Sequence, residues 1–307
     1  MGNPYDGIIL IDKDEGKTSF DVVKKVRRLL RVKKAGHAGT LDPFATGLLI
    51  VLLGQGTKLS PYLTVEYKVY QATMRLGVET DTQDLTGRVV KTSSVPEFEL
   101  ESIRRIALGL VGEIEQVPPL FSAINYKGKR AYELAREGIK IDLQKRKVRV
   151  HSLQIASVDL PDVTVKVTCS SGTYVRSLAA DLGKRLGPGA HLKSLRRLAS
   201  GPFKVEDALN LEEMEALSRD HIFQEKIVPL CEALPHMMEA QVDDPMAQRI
   251  RNGYQPEWEG VSAGADPPNF FEGYMKLAKG GELVAIVKVR YLSGDDGRRL
   301  KIMRVFN

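Results

Sequence analysis

Residues 36–49, GHAGTLDPFATGLL, hold a single carboxylate, Asp42, in a segment punctuated by glycines. Pro43 biases Asp42 toward an extended backbone, and the flanking glycines permit a tight turn. Two interpretations follow. A stiff loop presents the carboxylate outward as a functional group, or Asp42 caps a short helix that begins at Pro43. Taken alone, the segment favours the helix cap.

The surrounding chain mixes strand and helix patterns without a regular strand–helix–strand alternation. The run GLLIVLLG at 47–54 is apolar throughout and of strand length, which is typical of a strand buried on both faces. Further strands are predicted at 7–13, 67–77, 147–160 and 162–175. The pattern predicts an α+β fold, in which helices flank a mixed, mainly antiparallel central sheet.

Helical spacing of apolar residues predicts helices that pack on this sheet. The first begins at Thr18 or Ser19, with Asp21 placed to complete a capping box. Others are predicted over 99–112 and from about Arg176 onward. The apolar stripe of the first helix is predicted to be Phe20, Val23, Val26 and Leu30.

The helical pattern stops at Pro235, and a shorter, β-rich region follows to the C-terminus. It contains a proline-rich loop at 265–273 and two strand patterns separated by a hairpin-like turn, LSGDDG, at 292–297. A large domain followed by a small β-rich one is therefore predicted.

The composition of the 307 residues is that of an ordinary globular protein, with 43% hydrophobic and 27% charged residues. No apolar run approaches the roughly 18 residues that span a bilayer, and the N-terminus lacks the features of a signal peptide. The two cysteines, Cys169 and Cys231, form no CxxC motif. These features predict a reduced, cytoplasmic protein that does not associate with a membrane.

Positive charge is concentrated in three stretches, 24–37, 126–151 and 176–197, of a chain whose formal net charge is +6. Each stretch taken alone is equally well explained as a solvated helix face. Their combination in one basic chain favours a nucleic-acid partner.

Several familiar catalytic patterns are absent or incomplete. Gly16-Lys17-Thr18 matches the end of a phosphate-binding loop, but Ile11 stands where that motif requires its first glycine. The histidines show no metal-ligand spacing, and there is no GxSxG nucleophile motif. The short stretch GQGTKL at 54–59 is best explained as a tight turn, although its Lys58 is a candidate phosphate contact.

Six stretches, in order along residues 7–203, resemble the motifs of the TruB family of tRNA pseudouridine synthases. The segment around Asp42 resembles the catalytic motif of that family; Ala38 and Asp14 depart from the usual threonine and proline, and neither change touches the carboxylate. The other stretches are GIILIDKDEGKTS, YKVYQATMRLGVETDTQDLTG, VPPLFSAINYKGKRAYELAREG, SSGTYVRSLAADLG and GAHLKSLRRL.

The resemblance implies a catalytic domain over 1–234, with a thumb-like RNA-binding insertion at about 117–146. The region 235–307 resembles, more loosely, a PUA-like RNA-binding domain, and a capping module without RNA contact is the alternative. The implied reaction is the isomerisation of uridine to pseudouridine, which needs no cofactor and no metal. By resemblance, the substrate is the uridine conventionally numbered 55 in the T-loop of tRNA, with no obligate protein partner.

The resemblance also implies roles for individual residues. Asp42 is the essential carboxylate, Arg176 pairs with it, and Tyr70 stacks on the base or acts as a general base. The implied substrate-binding residues are His37, Lys58, Asp84, Tyr174 and Leu195. For Asp84 the alternative is a turn cap, and for each of the others besides Asp42 it is ordinary packing or surface exposure.

Two other functions stay open at this point. One is a non-catalytic tRNA-binding protein or RNA chaperone on the same scaffold. The other is a relative that acts within a guide-RNA particle on ribosomal RNA. The presence of Asp42, Tyr70 and Arg176 together favours the enzyme over the first alternative, and the short C-terminal module favours it over the second.

Overall fold

The computed structural model describes residues 5–64, 67–122, 124–139, 141–220, 223–258, 261–263, 272–291 and 298–307. No helix in these ranges is both long enough and apolar enough to cross a membrane. In chain order, the strands up to residue 229 are β1 (Gly7–Lys13), β2 (Ala35–Ala38), β3 (Thr46–Leu53), β4 (Lys68–Leu76), β5 (Val78–Thr80), β6 (Val89–Thr92), β7 (Gly112–Gln116), β8 (Asn125–Tyr126), β9 (Lys129–Arg130), β10 (Arg146–Asp159), β11 (Asp162–Cys169), β12 (Ala190–Ser200), β13 (Phe203–Lys204) and β14 (Val228–Pro229).

Ten of these strands form one central sheet. Its order is β14-β1-β3-β12-β4-β11-β10-β7, with β2 added to β3 and β13 added to β12. Every pairing is antiparallel except that of β12 with β3, which is parallel. As predicted, β3 is apolar and almost wholly buried, because it lies inside the sheet with packed side chains on both faces. The predicted α+β class is confirmed.

The helices are α1 (Ser19–Leu29), α2 (Ser60–Leu63), α3 (Leu100–Leu108), α4 (Ala131–Arg136), α5 (Val175–Leu186), α6 (Leu211–Asp220) and α7 (Asp244–Arg251). Helix α3 is shorter than the predicted 99–112, since the helix ends at a C-cap glycine, Gly109. Helix α5 begins at Val175, one residue before the predicted start, and so carries Arg176 in its first turn.

Helix α1 has the predicted capping box. The Thr18 hydroxyl accepts from the Asp21 amide, and the Asp21 carboxylate accepts from the Thr18 amide. Its predicted apolar stripe is wrong at one position: Phe20 is 70% exposed, and the inward positions next to it belong to Ser19 and Val22. The Ser19 hydroxyl bonds the buried backbone of Leu41, which fixes the rotation of the helix and turns Phe20 outward.

A second sheet follows in the C-terminal region, in the order β16-β15-β17-β18-β19. Its strands are β15 (Met238–Gln241), β16 (Ser262–Ala263), β17 (Gly273–Lys279), β18 (Glu282–Tyr291) and β19 (Arg298–Val305). Side chains of this region, including Leu283, Ile286 and Phe306, pack in one core with residues of the central sheet such as Ile8 and Leu48. The two sheets therefore share a hydrophobic interface, and a domain boundary at 234/235 stays a prediction. The turn at 292–297 and residues 265–271 of the proline-rich loop lie outside the described residues.

Candidate active site

Asp42 lies in the loop that joins β2 to β3. The helix-cap interpretation is wrong: residues 42–45 form a turn, closed by a bond of 3.1 Å from the Ala45 amide to the Asp42 carbonyl, and β3 begins at Thr46. The chain enters a strand here because the apolar run after Gly47 is long enough to fill a sheet position but offers no helical periodicity. The carboxylate is thus presented from a tight hairpin loop.

The backbone on both sides of Asp42 is held by other parts of the chain. On one side, the Ser19 hydroxyl accepts from the Leu41 amide at 2.9 Å and donates to the Leu41 carbonyl at 3.1 Å. On the other, the Pro43 carbonyl accepts from the Gly16 amide at 2.8 Å and from the Lys13 ammonium at 3.1 Å. These contacts immobilise the loop before any substrate is present, as a positioned catalytic group requires.

Arg197, on β12, supports the loop from below. Its guanidinium is fully buried and donates to three carbonyls, those of Leu48 at 2.6 Å, Gly39 at 3.1 Å and Thr40 at 3.4 Å. Gly47 sits against the Arg197 backbone so closely that a Cβ atom would lie 2.3 Å from its carbonyl oxygen. The glycine is therefore required by close approach as well as by its positive φ of 97°.

Asp42, Arg176 and Asp84 form a linear array of charges. The Nε atom of Arg176 lies 3.1 Å from the Oδ2 atom of Asp42, and its Nη1 atom lies 3.2 Å from the Oδ2 atom of Asp84. The side chains of Arg176 and Asp84 are 5% and 4% exposed, whereas that of Asp42 is 33% exposed. One guanidinium thus bridges a buried carboxylate and one that faces open space.

The far end of the array is anchored by its own hydrogen bonds. The Oδ1 atom of Asp84 accepts from the Thr82 hydroxyl at 2.8 Å, the Thr86 amide at 2.9 Å and the Thr86 hydroxyl at 2.6 Å. Arg176 in turn donates to the Phe121 carbonyl at 3.0 Å. A buried charge is tolerated only when it is paired and hydrogen-bonded, and both members of this buried pair are.

Burial raises the pKa of Asp42 above its ordinary value of 3.8. Arg176 and, less strongly, Lys13 act to lower this pKa, whereas the negative charge of Asp84 acts to raise it. Although Arg176 favours the charged form, as its pairing suggests, loss of solvation outweighs its effect. Burial also lowers the pKa of Lys13 to about 8.

A cavity of about 300 Å³ opens over Asp42. This is at the small end of the range for ligand pockets, and it suits a single nucleobase with its sugar better than a large cofactor. Predicted residues Tyr70, Tyr174 and Leu195 line it together with Asp42 and Arg176. Other lining residues include Gly39, Lys68, Ser122, Ser171, Thr173 and Arg197.

Tyr70 lies on the inward face of β4 and is buried. Burial raises the pKa of its phenol, and the positive charge of Arg197 opposes the rise. The phenol is therefore protonated near neutral pH and offers the pocket a flat ring with a hydroxyl at one edge.

Three of the predicted residues do not line this cavity: Asp84 lies behind it, in contact with Arg176, and His37 and Lys58 lie elsewhere. His37, on β2, is half-buried with a buried Nδ1 atom that has no hydrogen-bond partner, and burial lowers its pKa. Lys58 lies at the junction of the two sheets, where its ammonium donates to the Val305 carbonyl at 2.7 Å and lies over the ring of Phe306. The structure does not bring Lys58 to Asp42.

Two residues of the site were not singled out from the sequence, Lys13 and Arg197. Arg197 had a usable signal: it falls two residues after the inward-facing Leu195 on a strand, where alternation expects an apolar residue. A charged side chain at such a position indicates a buried polar role. Within the described ranges, no group of three or more His, Cys, Asp or Glu residues is arranged to hold a metal ion.

Comparison with known proteins places this geometry in a family. The family model for the N-terminal domain of TruB family pseudouridylate synthases matches residues 27–175. The family model for the tRNA pseudouridylate synthase B C-terminal domain matches residues 176–239. The chain is 45% identical to tRNA pseudouridine synthase B of Geobacter sulfurreducens, over 98% of its length and 100% of that protein. The chain belongs to the TruB family of pseudouridine synthases. The Clostridium kluyveri protein of the same name is 45% identical over 81% of this chain and 84% of its own length.

Solved structures extend the TruB relationship to the whole fold. The chain is similar to one from a Cbf5-Nop10-Gar1 complex, with a TM-score of 0.76 and 28% identity over 98% of this chain and 85% of the other. A chain of an H/ACA RNP bound to a substrate RNA containing 2'-deoxyuridine gives a TM-score of 0.73 at 26% identity. By its relatives the protein is a pseudouridine synthase, and it shares its fold with these solved chains.

Proposed function

We propose that this synthase converts uridine 55 in the T-loop of tRNA to pseudouridine in the cytoplasm, with Asp42 as the essential carboxylate. The observation that carries the proposal is the Asp42–Arg176–Asp84 array at the floor of a nucleobase-sized cavity. Relatives named tRNA pseudouridine synthase B at 45% identity support tRNA as the substrate, ahead of the substrates of the more distant Cbf5 complexes.

The array prepares one carboxylate for work at the sugar of a bound uridine. The reaction breaks the bond from N1 to C1′, turns the uracil over, and forms a bond from C5 to C1′; the proton that C5 releases balances the one that N1 gains, so no second reactant is consumed. Ionised Asp42 serves either as the nucleophile at C1′ or as the base that removes the C2′ proton. Both routes need the orientation that Arg176 provides and a vacant side of the carboxylate, which its partial exposure gives.

The walls of the cavity suit the detached base. Tyr70 stacks against the uracil ring, while Leu195 and Tyr174 limit the space in which the ring turns over. The base reaches this cavity only by leaving its stack, at a cost of a few kcal/mol. His37 fills or supports the vacated position in the RNA, and exposed residues of the basic stretches contact phosphates; Lys58 is left out of this role, because its ammonium donates to the Val305 carbonyl.

The segment 117–146 acts as the RNA-binding thumb in this proposal. It contains the β8-β9 hairpin and α4, and it carries many exposed cations. The Phe121 carbonyl at its base accepts a bond from Arg176, and Ser122 lines the cavity. Closure of the thumb on RNA would thus act on Arg176 and on the cavity through these two contacts. The region 235–307 is proposed to be a PUA-like domain that contacts RNA.

The test is to map pseudouridine by position in an unmodified tRNA transcript after incubation with the protein. We expect one modified position, the T-loop uridine, and no product from a matched transcript with cytidine at that position. Modification at other uridines with the T-loop untouched would overturn the assigned substrate position.

The same transcript distinguishes the enzyme from the non-catalytic alternative. For an RNA chaperone, wild-type protein and the Asp42→Asn variant would bind equally well and neither would form pseudouridine. For the enzyme, wild type forms the product, and Asp42→Asn binds RNA but does not convert it.

A further inference from the structure

The outward face of α1 carries an aromatic residue followed by a row of cations. Phe20 is 70% exposed, and Lys24, Arg27, Arg28 and Arg31 are exposed as well. Their spacing of four, seven and eight residues from Phe20 places Lys24, Arg27 and Arg28 on one side of the helix, and Arg31 lies just beyond the helix end. We call these five residues the α1 strip.

Lys24 has an acid near it, since its charge, after the hydrogen bonds to Thr18, helps to lower the pKa of Asp21, but no neighbouring acid pairs with Arg27, Arg28 or Arg31 among the described residues. In the part of the chain that the structure describes, none of the four cations of the α1 strip lies in a recorded ion pair or side-chain hydrogen bond. By contrast, Lys25 on the flank of the same helix pairs with Glu215 of α6 at 2.8 Å. The acid nearest Phe20 in sequence, Asp21, is engaged in the capping box.

The α1 strip begins beside the active site. Ser19, the residue before Phe20, bonds the backbone of Leu41, which precedes Asp42. The loop that leads into α1 bonds the Pro43 carbonyl through the Gly16 amide. From Phe20 to Arg28 the strip then extends for about 12 Å at the rise of an α-helix.

An exposed phenylalanine gains nothing from folding, since its apolar surface stays in water. Its position next to a row of free cations fits a single-stranded nucleic acid, whose bases stack on aromatic rings and whose phosphates bind cations. We propose that the α1 strip extends the RNA site: Phe20 stacks on an unpaired base adjacent to the target uridine, and Lys24, Arg27 and Arg28 bind the phosphates beyond it. The inference rests on the proposed function, because it assumes that RNA occupies the Asp42 cavity.

The aromatic contact is tested with Phe20→Ala and Phe20→Trp. Loss of one stacking contact weakens binding of an unmodified tRNA transcript roughly 5- to 150-fold, whereas tryptophan restores it. Because Phe20 does not touch the reacting atoms, the single-turnover rate at saturating protein stays within about twofold of wild type. A lower rate with unchanged affinity, or equal affinity of all three proteins, would overturn the stacking role.

The cations are tested by reversing three of them together, Lys24→Glu, Arg27→Glu and Arg28→Glu. The matched control carries Lys91→Glu, Lys166→Glu and Lys204→Glu, three exposed lysines outside α1 and outside the three basic stretches, and therefore has the same net charge. We expect at least a tenfold loss of affinity in the α1 variant only. In that variant the slope of log Kd against the logarithm of the salt concentration should also become smaller, by about one to three. Equal losses in both triple variants would show a general charge effect and reject the strip.

These outcomes are distinct from a failure of the proposed function. If wild-type protein forms no pseudouridine, the proposed function fails whatever the variants do. If wild type forms pseudouridine and the α1 variants bind and react like their controls, the enzyme stands and the strip is rejected. Thermal unfolding of each variant is measured in parallel to confirm that every variant is folded under the conditions of the binding and rate measurements.

Discussion

The arginine–aspartate network at the cavity and the one formed by Arg75 and Asp162 on the central sheet differ in their exposure to solvent. In the cavity, Arg176 joins Asp42 to Asp84 with its guanidinium 5% exposed. At the other, Asp162 on β11 accepts two bonds from Arg75 on β4, at 2.8 and 2.9 Å, and one from Lys193 on β12 at 2.6 Å. The side chains of this second network are 21–42% exposed.

The two networks contain the same pair of residue types, arginine and aspartate, but the pKa values of Asp42 and Asp162 shift in opposite directions. The hydrogen bond from Arg75 lowers the pKa of Asp162, helped by Lys193, because water still solvates the charges. Burial raises the pKa of Asp42 despite its contact with Arg176. The Arg75–Asp162 contact thus stabilises the surface of the sheet. The Arg176–Asp42 contact instead holds a carboxylate whose charged form is disfavoured by burial, and such a carboxylate is reactive.

Apart from loss of the Asp42 carboxylate itself, the largest expected effect comes from replacing Arg176. Arg176→Lys cannot bridge two carboxylates with a planar fork, so Asp42 loses its orientation and Asp84 is left buried with a poorer partner. We expect the single-turnover rate to fall about a thousandfold, as for loss of a major preorganised contact, and the protein to lose about 3 kcal/mol of stability. The rate is measured with an unmodified tRNA transcript, and stability by denaturant unfolding.

Arg75→Lys is the matched control for that substitution. Its network is partly solvated, so the expected loss of stability is under about 1 kcal/mol and the rate should not change. Equal damage by both substitutions would mean that the cavity network has no special role.

The next effect is that of Asp84→Asn. The amide can still accept from Thr86, but Arg176 loses its second negative partner, and we expect the rate to fall roughly 10- to 100-fold. Removal of the Asp84 charge also removes one cause of the raised pKa of Asp42. The acid limb of the pH–rate profile should therefore move to lower pH, and a move to higher pH would contradict the array.

A smaller effect is expected from Lys13→Met through the pH–rate profile. Ionised Asp42 is the active form, so activity is lost as pH falls through its folded-state pKa, which lies above 3.8. Because Lys13 acts to lower that pKa, its removal should shift the acid limb upward. Lys17→Met, at an exposed neighbouring lysine, is the control and should leave the limb in place. An unshifted limb in Lys13→Met would show that the Lys13 charge does not reach Asp42.

The smallest effect is expected from Asp162→Asn. The lowered pKa of Asp162 means that its network stabilises the fold above about pH 3.8, and that this stabilisation is lost as pH falls through the lower folded-state value. Discounted for solvent, the loss at neutral pH should be under about 1 kcal/mol and should vanish in acid. Unfolding curves at neutral and acidic pH check both statements.

The sequence predicted five of the ten strands of the central sheet, β1, β3, β4, β10 and β11, because these have clear apolar patterns, and β3 is the plainest case. It did not predict β12, whose run AHLKSLRRLAS mixes apolar and basic residues without strict alternation. The position of Phe20 could not be predicted, since a hydrogen bond between Ser19 and the distant Leu41 sets the rotation of α1. Periodicity alone does not contain that tertiary contact.

For the site, sequence motifs selected Asp42, Tyr70, Arg176, Asp84, Tyr174 and Leu195, and the structure brings these residues together around or behind one cavity. The direction of the pKa shift of Asp42 was not predictable, because it depends on how much water the fold removes. Lys58 was predicted to contact phosphate because it lies in a glycine-rich turn. In the fold its ammonium instead donates to the carbonyl of Val305 and lies over the ring of Phe306, contacts with the C-terminal strand region that the local sequence does not reveal.

The most direct test of the central claim compares two aspartate-to-asparagine variants in single-turnover reactions on the same unmodified tRNA transcript, with RNA affinity measured in parallel. We predict that Asp42→Asn binds the transcript as wild type does and forms no pseudouridine, while Asp162→Asn binds and converts it at the wild-type rate. Conversion by Asp42→Asn at a rate close to that of Asp162→Asn would contradict the assignment of Asp42 as the catalytic carboxylate.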